Sequence, residues 1–142
     1  MHIYFSIGCS GKSFWKRGLS LAWGDPTILK KSDILRFEWP MVCKNWAGGI
    51  LSFTRSKLFY QDNNKDMELL EQVLKLPNTK VAIIHGTRDN VIPVSSSQGI
   101  VQRFNNNNNP IDFTMLEGRG HDPFEENTKE FIMTFQNIVN KF

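Results

Sequence analysis

The 142 residues are enough for a single domain, and a composition of 40% hydrophobic and 22% charged residues is that of an ordinary globular protein. A net charge of +3 is too small to indicate nucleic-acid binding, and no apolar run approaches the ~18 residues of a transmembrane segment. The two cysteines, Cys9 and Cys43, are too few and too far apart for a zinc site or a disulfide framework, so we expect a cytoplasmic protein without a metal or cofactor.

The first part of the chain is basic and rich in aromatic residues. Residues 1–59 hold nine Lys and Arg against three Asp and Glu, and all four tryptophans lie there: Trp15, Trp23, Trp39 and Trp46. Glycines and prolines interrupt this stretch, which favours short helices joined by turns. We therefore predict an irregular segment at 1–14, which need not belong to the fold, and a helical segment at 15–60.

From residue 61 to residue 142 the pattern changes to alternating helices and strands. A helix capped by Asp66 has apolar positions at Met67, Leu70, Val73 and Leu74. It is followed by a β-branched strand at 81–85, whose apolar run suits burial on both faces, and by a helix at 95–104. The tract of asparagines at 105–109 predicts an exposed loop. A strand at 111–116 follows it, and the spacing of apolar residues then predicts a terminal helix with one apolar face. The order helix–strand–helix–strand–helix predicts an α/β fold with parallel strands.

Two short motifs follow the two predicted strands. The first is His85-Gly86-Thr87-Arg88-Asp89-Asn90-Val91-Ile92-Pro93, and the second is Gly118-Arg119-Gly120-His121-Asp122-Pro123. Loops at the carboxyl ends of parallel strands are where α/β folds assemble their sites. We therefore expect the side chains of Asp89 and His121 to face each other.

These motifs resemble those of the α/β-hydrolase family, whose last two strands run into H-G-x-x-D-x-x-V/I-P and into G-x-G-H-x-P followed by acidic residues, here Glu125 and Glu126. The resemblance covers about residues 77–142 and includes the order of acid before histidine. It implies a partial α/β-hydrolase fold, with the last parallel strands and their flanking helices in the core part at 61–142. The segment at 15–60 is similar, more loosely, to the helical cap of that family.

The resemblance implies that the chain is the C-terminal part of a serine hydrolase of esterase, lipase or thioesterase type. Asp89 would orient the imidazole of His121, and His121 would be the general base of a Ser-Asp-His triad. Two other interpretations stay open, in which Asp89 is a turn residue that bonds its own backbone and His121 is structural. For His85 the resemblance implies a structural place at the end of the strand.

The sequence lacks a convincing nucleophile. Ser10 lies in Gly8-Cys9-Ser10-Gly11-Lys12, but Lys12 stands where the G-x-S-x-G elbow needs its second glycine. A phosphate-binding loop ending in Gly11-Lys12-Ser13 would need a glycine at position 6, which is Ser6. We expect the nucleophile and the oxyanion hole to lie upstream of this sequence, and the chain to have little activity alone.

The alternative function is a non-catalytic module that keeps hydrolase architecture and binds a ligand or a partner chain. For the enzyme, the basic and aromatic cap favours a small hydrophobic or amphiphilic ester-type substrate, with peripheral contact to a lipid surface. Half of a sheet would leave an edge strand exposed, which predicts self-association.

Overall fold

The computed structural model describes residues 11–59, 63–105 and 110–142. These residues form two compact units, and the chain passes between them more than once. The helical unit comprises Met1–Leu21 and Pro26–Gln61, and the α/β unit comprises Ala22–Asp25 and Asp62–Phe142. Ser10 and most of the asparagine tract lie outside the described residues.

The helical unit consists of short helices, as the glycines and prolines of this stretch predict. Helix α1 spans Gly11–Ala22, α2 spans Lys31–Glu38 and α3 spans Trp46–Phe59, and short 3-10 helices lie at Pro26–Ile28 and Trp39–Val42. Helix α1 starts within the segment that we predicted to be irregular. Its last residue, Ala22, already belongs to the α/β unit.

Aromatic packing holds part of the helical unit together. The indole nitrogen of Trp15 donates a hydrogen bond to the sulfur of Met41 at 2.9 Å, and the ring of Trp15 lies 6.0 Å from that of Phe37. Trp39, in contrast, is 70% exposed. The tryptophans of this unit therefore include both a packed residue and a solvent-exposed one.

The α/β unit follows the predicted order of elements, although the helix that we expected Asp66 to cap begins at Asn63, so that Asp66 lies in its first turn. Helix α4 spans Asn63–Leu74, strand β1 Ala82–Gly86, helix α5 Val94–Phe104, strand β2 Asp112–Leu116, helix α6 Pro123–Glu126 and helix α7 Thr128–Val139. The two strands pair in parallel, with Ala82 opposite Asp112 and Gly86 opposite Leu116. The predicted α/β class with parallel strands is confirmed, whereas the hydrolase fold stays a proposal.

The core of the α/β unit lies between the sheet and helices α4 and α5. Its buried members are Leu74, Val101, Phe104 and Ile111, and partly buried residues of both strands, Ile83 and Phe113 among them, pack against these four. Leu74 and Leu70 share one face of α4, and Val101 and Phe104 share one face of α5, as helical periodicity requires. This packing sets the position of the strand ends that carry both motifs.

The structure differs from the sequence prediction in the burial of two elements. Strand β1 is buried only at His85 and Gly86, and Ala82 is exposed, although its apolar run suggested burial on both faces. On α7 only Ile138 is buried, while Ile132, Phe135 and Val139 are about half exposed. Within the described residues the sheet has two strands, so it covers less of the apolar surface of the helices than a sheet with more strands would.

Candidate active site

The two sequence motifs meet at one end of the sheet, because parallel strands in register finish side by side. The backbone N–H of Thr87 donates to the carbonyl of Leu116 at 3.0 Å, and that of Arg88 donates to the carbonyl of Arg119 at 2.8 Å. The hydroxyl of Thr87 also accepts the N–H of Gly118 at 2.9 Å. These bonds continue the pairing of the strands into the loops, so the first loop is fixed against the second.

Asp89 is a buried carboxylate whose two oxygens have separate partners. Its Oδ1 accepts the backbone N–H groups of Val91 and Ile92, each at 2.8 Å. Its Oδ2 lies 2.9 Å from Nδ1 of His121, and the Asp89 side chain is only 4% exposed. Asp89 therefore bonds its own turn and the histidine of the second motif at the same time.

The environment of Asp89 favours its ionised form. Burial of the carboxyl opposes ionisation, but hydrogen bonds from the N–H of Ile92, the imidazole of His121 and the N–H of Val91 outweigh burial and lower the pKa of Asp89 below its ordinary value of 3.8. An ionised carboxylate can only accept hydrogen bonds. Nδ1 of His121 must therefore carry the proton that lies between the two side chains.

His121 is placed so that its second ring nitrogen is available for proton transfer. With the proton on Nδ1, neutral imidazole has its lone pair on Nε2. The side chain is 35% exposed, and no described residue makes a hydrogen bond to Nε2. In this state the imidazole can take a proton from a hydroxyl group on Nε2. The carboxylate of Asp89 then stabilises the imidazolium ion that forms.

His85 lies on the other side of Asp89 and has both ring nitrogens occupied. Its Nε2 lies 3.0 Å from the carbonyl of Ile92 and 3.3 Å from Oδ2 of Asp89, and its Nδ1 lies 2.8 Å from the hydroxyl of Ser97. Because a carbonyl oxygen only accepts hydrogen bonds, Nε2 donates to Ile92, and Nδ1 of the neutral imidazole then accepts a hydrogen bond from the hydroxyl of Ser97. This geometry agrees with a structural place for His85 and adds Ser97, which the motif did not reveal.

Close backbone packing surrounds the second motif, and glycine is needed to allow it. A Cβ atom on Gly86 would collide with the carbonyl of Gly120, and one on Gly120 would collide with the carbonyl of Ala22. Gly118 has a φ of 72°, in the left-handed region that glycine adopts without strain. The glycines of both motifs therefore permit the loops to approach each other and a third segment, Ala22–Asp25.

Asp122, beside His121, has a pKa raised above its ordinary value. Burial is the main cause, the nearby carboxylates of Glu125 and Asp89 add to it, and the imidazole of His121 opposes it. The two aspartates next to the histidine thus have pKa values shifted in opposite directions. Asp89 has the hydrogen bonds that stabilise negative charge, and the geometry therefore favours Asp89 as the partner of His121.

Among the described residues, no serine, threonine or cysteine side chain makes a hydrogen bond to the His121 side chain. Ser10, the closest sequence candidate, lies outside the described residues. Within residues 11–59, 63–105 and 110–142, His, Cys, Asp and Glu side chains form no group that could hold a metal ion. In the same residues no helix has the length and hydropathy to cross a bilayer.

Comparison of the chain with protein-family models, with curated proteins and with solved structures gives no match. The family resemblance therefore rests on the two motifs and on the site that they form.

Proposed function

We propose that this chain supplies the acid and the base of a serine hydrolase, with Asp89 as the acid and His121 as the general base of a Ser-Asp-His triad. The observation that carries the proposal is the 2.9 Å contact between Oδ2 of Asp89 and Nδ1 of His121, made by loops that follow adjacent parallel strands. The depressed pKa of Asp89 supports this role, since the acid of a triad stays ionised while the histidine cycles.

The reaction class follows from what this pair can do. Nε2 of His121 would take the proton of a serine hydroxyl as the oxygen attacks an ester-type carbonyl, and it would return that proton to the leaving group. No described residue offers that serine to Nε2. We therefore expect the 142-residue protein to turn over p-nitrophenyl esters slowly or not at all, in contrast to a protein that also carries the elbow serine.

For the substrate we propose a small hydrophobic or amphiphilic ester, thioester or similar acyl compound. The helical unit supports this with two of the most exposed large apolar side chains of the described residues, Val42 at 88% and Trp39 at 70%. Arg36 and Lys44 flank them in sequence, and basic residues beside exposed aromatic ones are typical of contact with anionic lipid surfaces. Peripheral contact with lipid is therefore part of the proposal.

The test combines the transcript with an activity probe. Mapping the 5′ end of the transcript should reveal, in frame, a strand followed by G-x-S-x-G, and the protein that contains it should react with a fluorophosphonate. His121→Ala should reduce that labelling at least a hundredfold, because the serine loses its base. Ester turnover should also rise from acetyl to longer acyl chains if the substrate is amphiphilic.

The same experiment can reject the proposal. If the transcript encodes no elbow and the 142-residue protein does not label, the alternative of a non-catalytic binding module replaces the enzyme. If the 142-residue protein turns over esters rapidly and Ser10→Ala abolishes this, the triad is complete within the chain. That second result would contradict our expectation that the chain has little activity alone.

A further inference from the structure

We propose that Glu126 is a positioning residue of the candidate active site, whose carboxylate holds the backbone before His121 so that the imidazole stays against Asp89. The catalytic meaning of this proposal rests on the proposed function, whereas the geometry that it describes does not. In the sequence, Glu126 stands out only as one of the acidic residues that follow the histidine. Its role emerges from contacts over a sequence separation of about 100 residues.

The two oxygens of Glu126 accept hydrogen bonds from two distant parts of the chain. Oε1 accepts the backbone N–H of Gly120 at 2.6 Å, and Oε2 accepts the backbone N–H of Gly24 at 3.0 Å. Hydrogen bonds to an ionised acceptor are shorter and about twice as strong as those between neutral groups. One carboxylate therefore joins the segment Ala22–Asp25 to the residue that precedes His121.

A third bond fixes the next peptide unit to the same segment. The backbone N–H of His121 donates to the carbonyl of Ala22 at 2.6 Å. The N–H groups of Gly120 and His121 are thus both held, the first through Glu126 and the second directly. Because two consecutive peptide units are anchored, the direction of the Cα–Cβ bond of His121 is fixed. The imidazole is therefore held where Nδ1 reaches Asp89, and the backbone does not have to rearrange.

The glycines explain why the bridge is made by a side chain from α6. A Cβ on Gly24 would collide with the carbonyl of Gly118, and one on Gly120 would collide with the carbonyl of Ala22. The two backbones therefore touch and leave no room for side chains of their own at the contact. Glu126 reaches both N–H groups from α6, which starts at Pro123 only two residues after His121.

A carboxylate is the side chain that this arrangement requires. The two N–H donors meet different oxygens of Glu126, Oε1 and Oε2, and a glutamine side chain has in place of one of them an NH₂ group that only donates. Glu126→Gln keeps nearly the same size but leaves one of the two N–H groups without its acceptor. Glu126→Asp keeps the charge but is one methylene shorter, so it cannot reach both donors.

The experiment reads His121 directly in the 142-residue protein. Two-bond ¹H–¹⁵N correlation spectra of the imidazoles, recorded above the titration range of histidine, report which ring nitrogen carries the proton. In the unsubstituted protein we expect the Nδ1–H tautomer of His121 to predominate. In Glu126→Gln and in Glu126→Asp we expect a smaller Nδ1–H population and about tenfold faster exchange of that proton with water, as expected for one lost hydrogen bond.

The matched control is Glu117→Gln, which makes the same charge change in the turn that precedes His121. Glu117 is exposed, and its side chain has no hydrogen bond among the described residues. Its imidazole spectrum should match that of the unsubstituted protein. An equal change in Glu117→Gln would mean that net charge, and not the bridge, moves the tautomer, and the proposal would be overturned.

A second measurement needs no variant and so does not depend on a variant folding. Gly24 and Gly120 lie outside helices and strands, yet the bridge predicts that their amide hydrogens exchange slowly. Rapid exchange of both amides in the unsubstituted protein would overturn the proposal, as would a folded Glu126→Gln with an unchanged tautomer. None of these measurements requires turnover. The bridge can therefore be shown in a protein without hydrolase activity, and it can be absent from a protein that is a hydrolase, so the two proposals are tested separately.

Discussion

Asp89 divides the two oxygens of its carboxylate between a local and a distant partner. The sequence left open whether Asp89 is a turn residue or the acid of a triad, and the structure shows that the two descriptions are compatible. Oδ1 closes the turn with Val91 and Ile92, which fixes the direction in which Oδ2 points. The turn is therefore what presents the second oxygen to His121.

This division of bonds predicts a specific pH dependence of stability. The pKa of Asp89 is depressed in the folded protein, so its contribution to stability is complete above the unfolded value of 3.8 and is lost as the pH falls through the lower folded value. Asp89→Asn should lower the free energy of unfolding by about 1–3 kcal/mol at neutral pH, because the N–H groups of Val91 and Ile92 and the imidazole of His121 lose a charged acceptor. The difference between the two proteins should shrink below a pH of about 3.8.

Urea unfolding at a series of pH values measures this difference, and ionisations common to both proteins cancel in it. Glu117→Gln is the control, since Glu117 is exposed and should contribute little at any pH. A difference that stays constant down to the lowest pH would contradict the assignment of the depressed pKa to Asp89.

At the scale of single elements, helix α7 shows how a cap supports the histidine loop. Asn127 caps α7 by accepting the N–H of Glu130 at 3.2 Å, and its amide donates to Oε2 of Glu130 at 3.1 Å. The same oxygen of Glu130 accepts a hydrogen bond from Nε of Arg119 at 2.7 Å. The start of α7 is therefore linked to the turn that precedes His121.

The cap predicts a measurable loss of stability. Asn127→Ala should cost about 1 kcal/mol, the usual value of an N-cap, and should lower the Tm by about 3 °C. Thermal unfolding followed by circular dichroism measures the change. Asn140→Ala is the control, because Asn140 is exposed at the other end of α7 and its side chain has no hydrogen bond among the described residues. Equal Tm values for the two variants would contradict a role for the cap.

At the scale of the whole molecule, the described chain leaves much apolar surface in contact with water. Within residues 63–105 and 110–142 the sheet has two strands, and the exposed face of α7 includes Phe135 at 53% and Val139 at 50%. Apolar patches and unpaired strand edges both favour association. Each of the two surfaces can be changed by a single substitution.

We expect the protein to self-associate as its concentration rises. Light scattering should give a mass above the 16.4 kDa of one chain at high concentration. Phe135→Lys should reduce association if the face of α7 is the contact, and Ala82→Lys should reduce it if the edge of β1 is the contact, because a charge disfavours burial of either surface. A mass of one chain at every concentration would refute the expectation.

Much of the α/β unit was accessible from local pattern alone. The β-branched run at 81–85 predicted β1 to within one residue, and the spacing of Leu70 and Leu74 predicted the buried face of α4. Two loops after successive parallel strands predicted that Asp89 and His121 would meet, and the structure places them 2.9 Å apart. These features depend on residues that are near in sequence, or on the general rule that sites form in the loops at the carboxyl ends of parallel strands.

The remaining features of the site depend on contacts between residues that are far apart in sequence, which no local pattern encodes. Three such contacts are the hydrogen bond of Ser97 to His85, the bridge of Glu126 to Gly24 and the packing of Ala22–Asp25 in the α/β unit. The burial of a helix face also depends on distant contacts, since α7 has the periodicity of a core helix but only its Ile138 is buried. The sequence determined which residues stand in the two motifs, and the tertiary structure decided which of them have partners, because partners are set by three-dimensional packing.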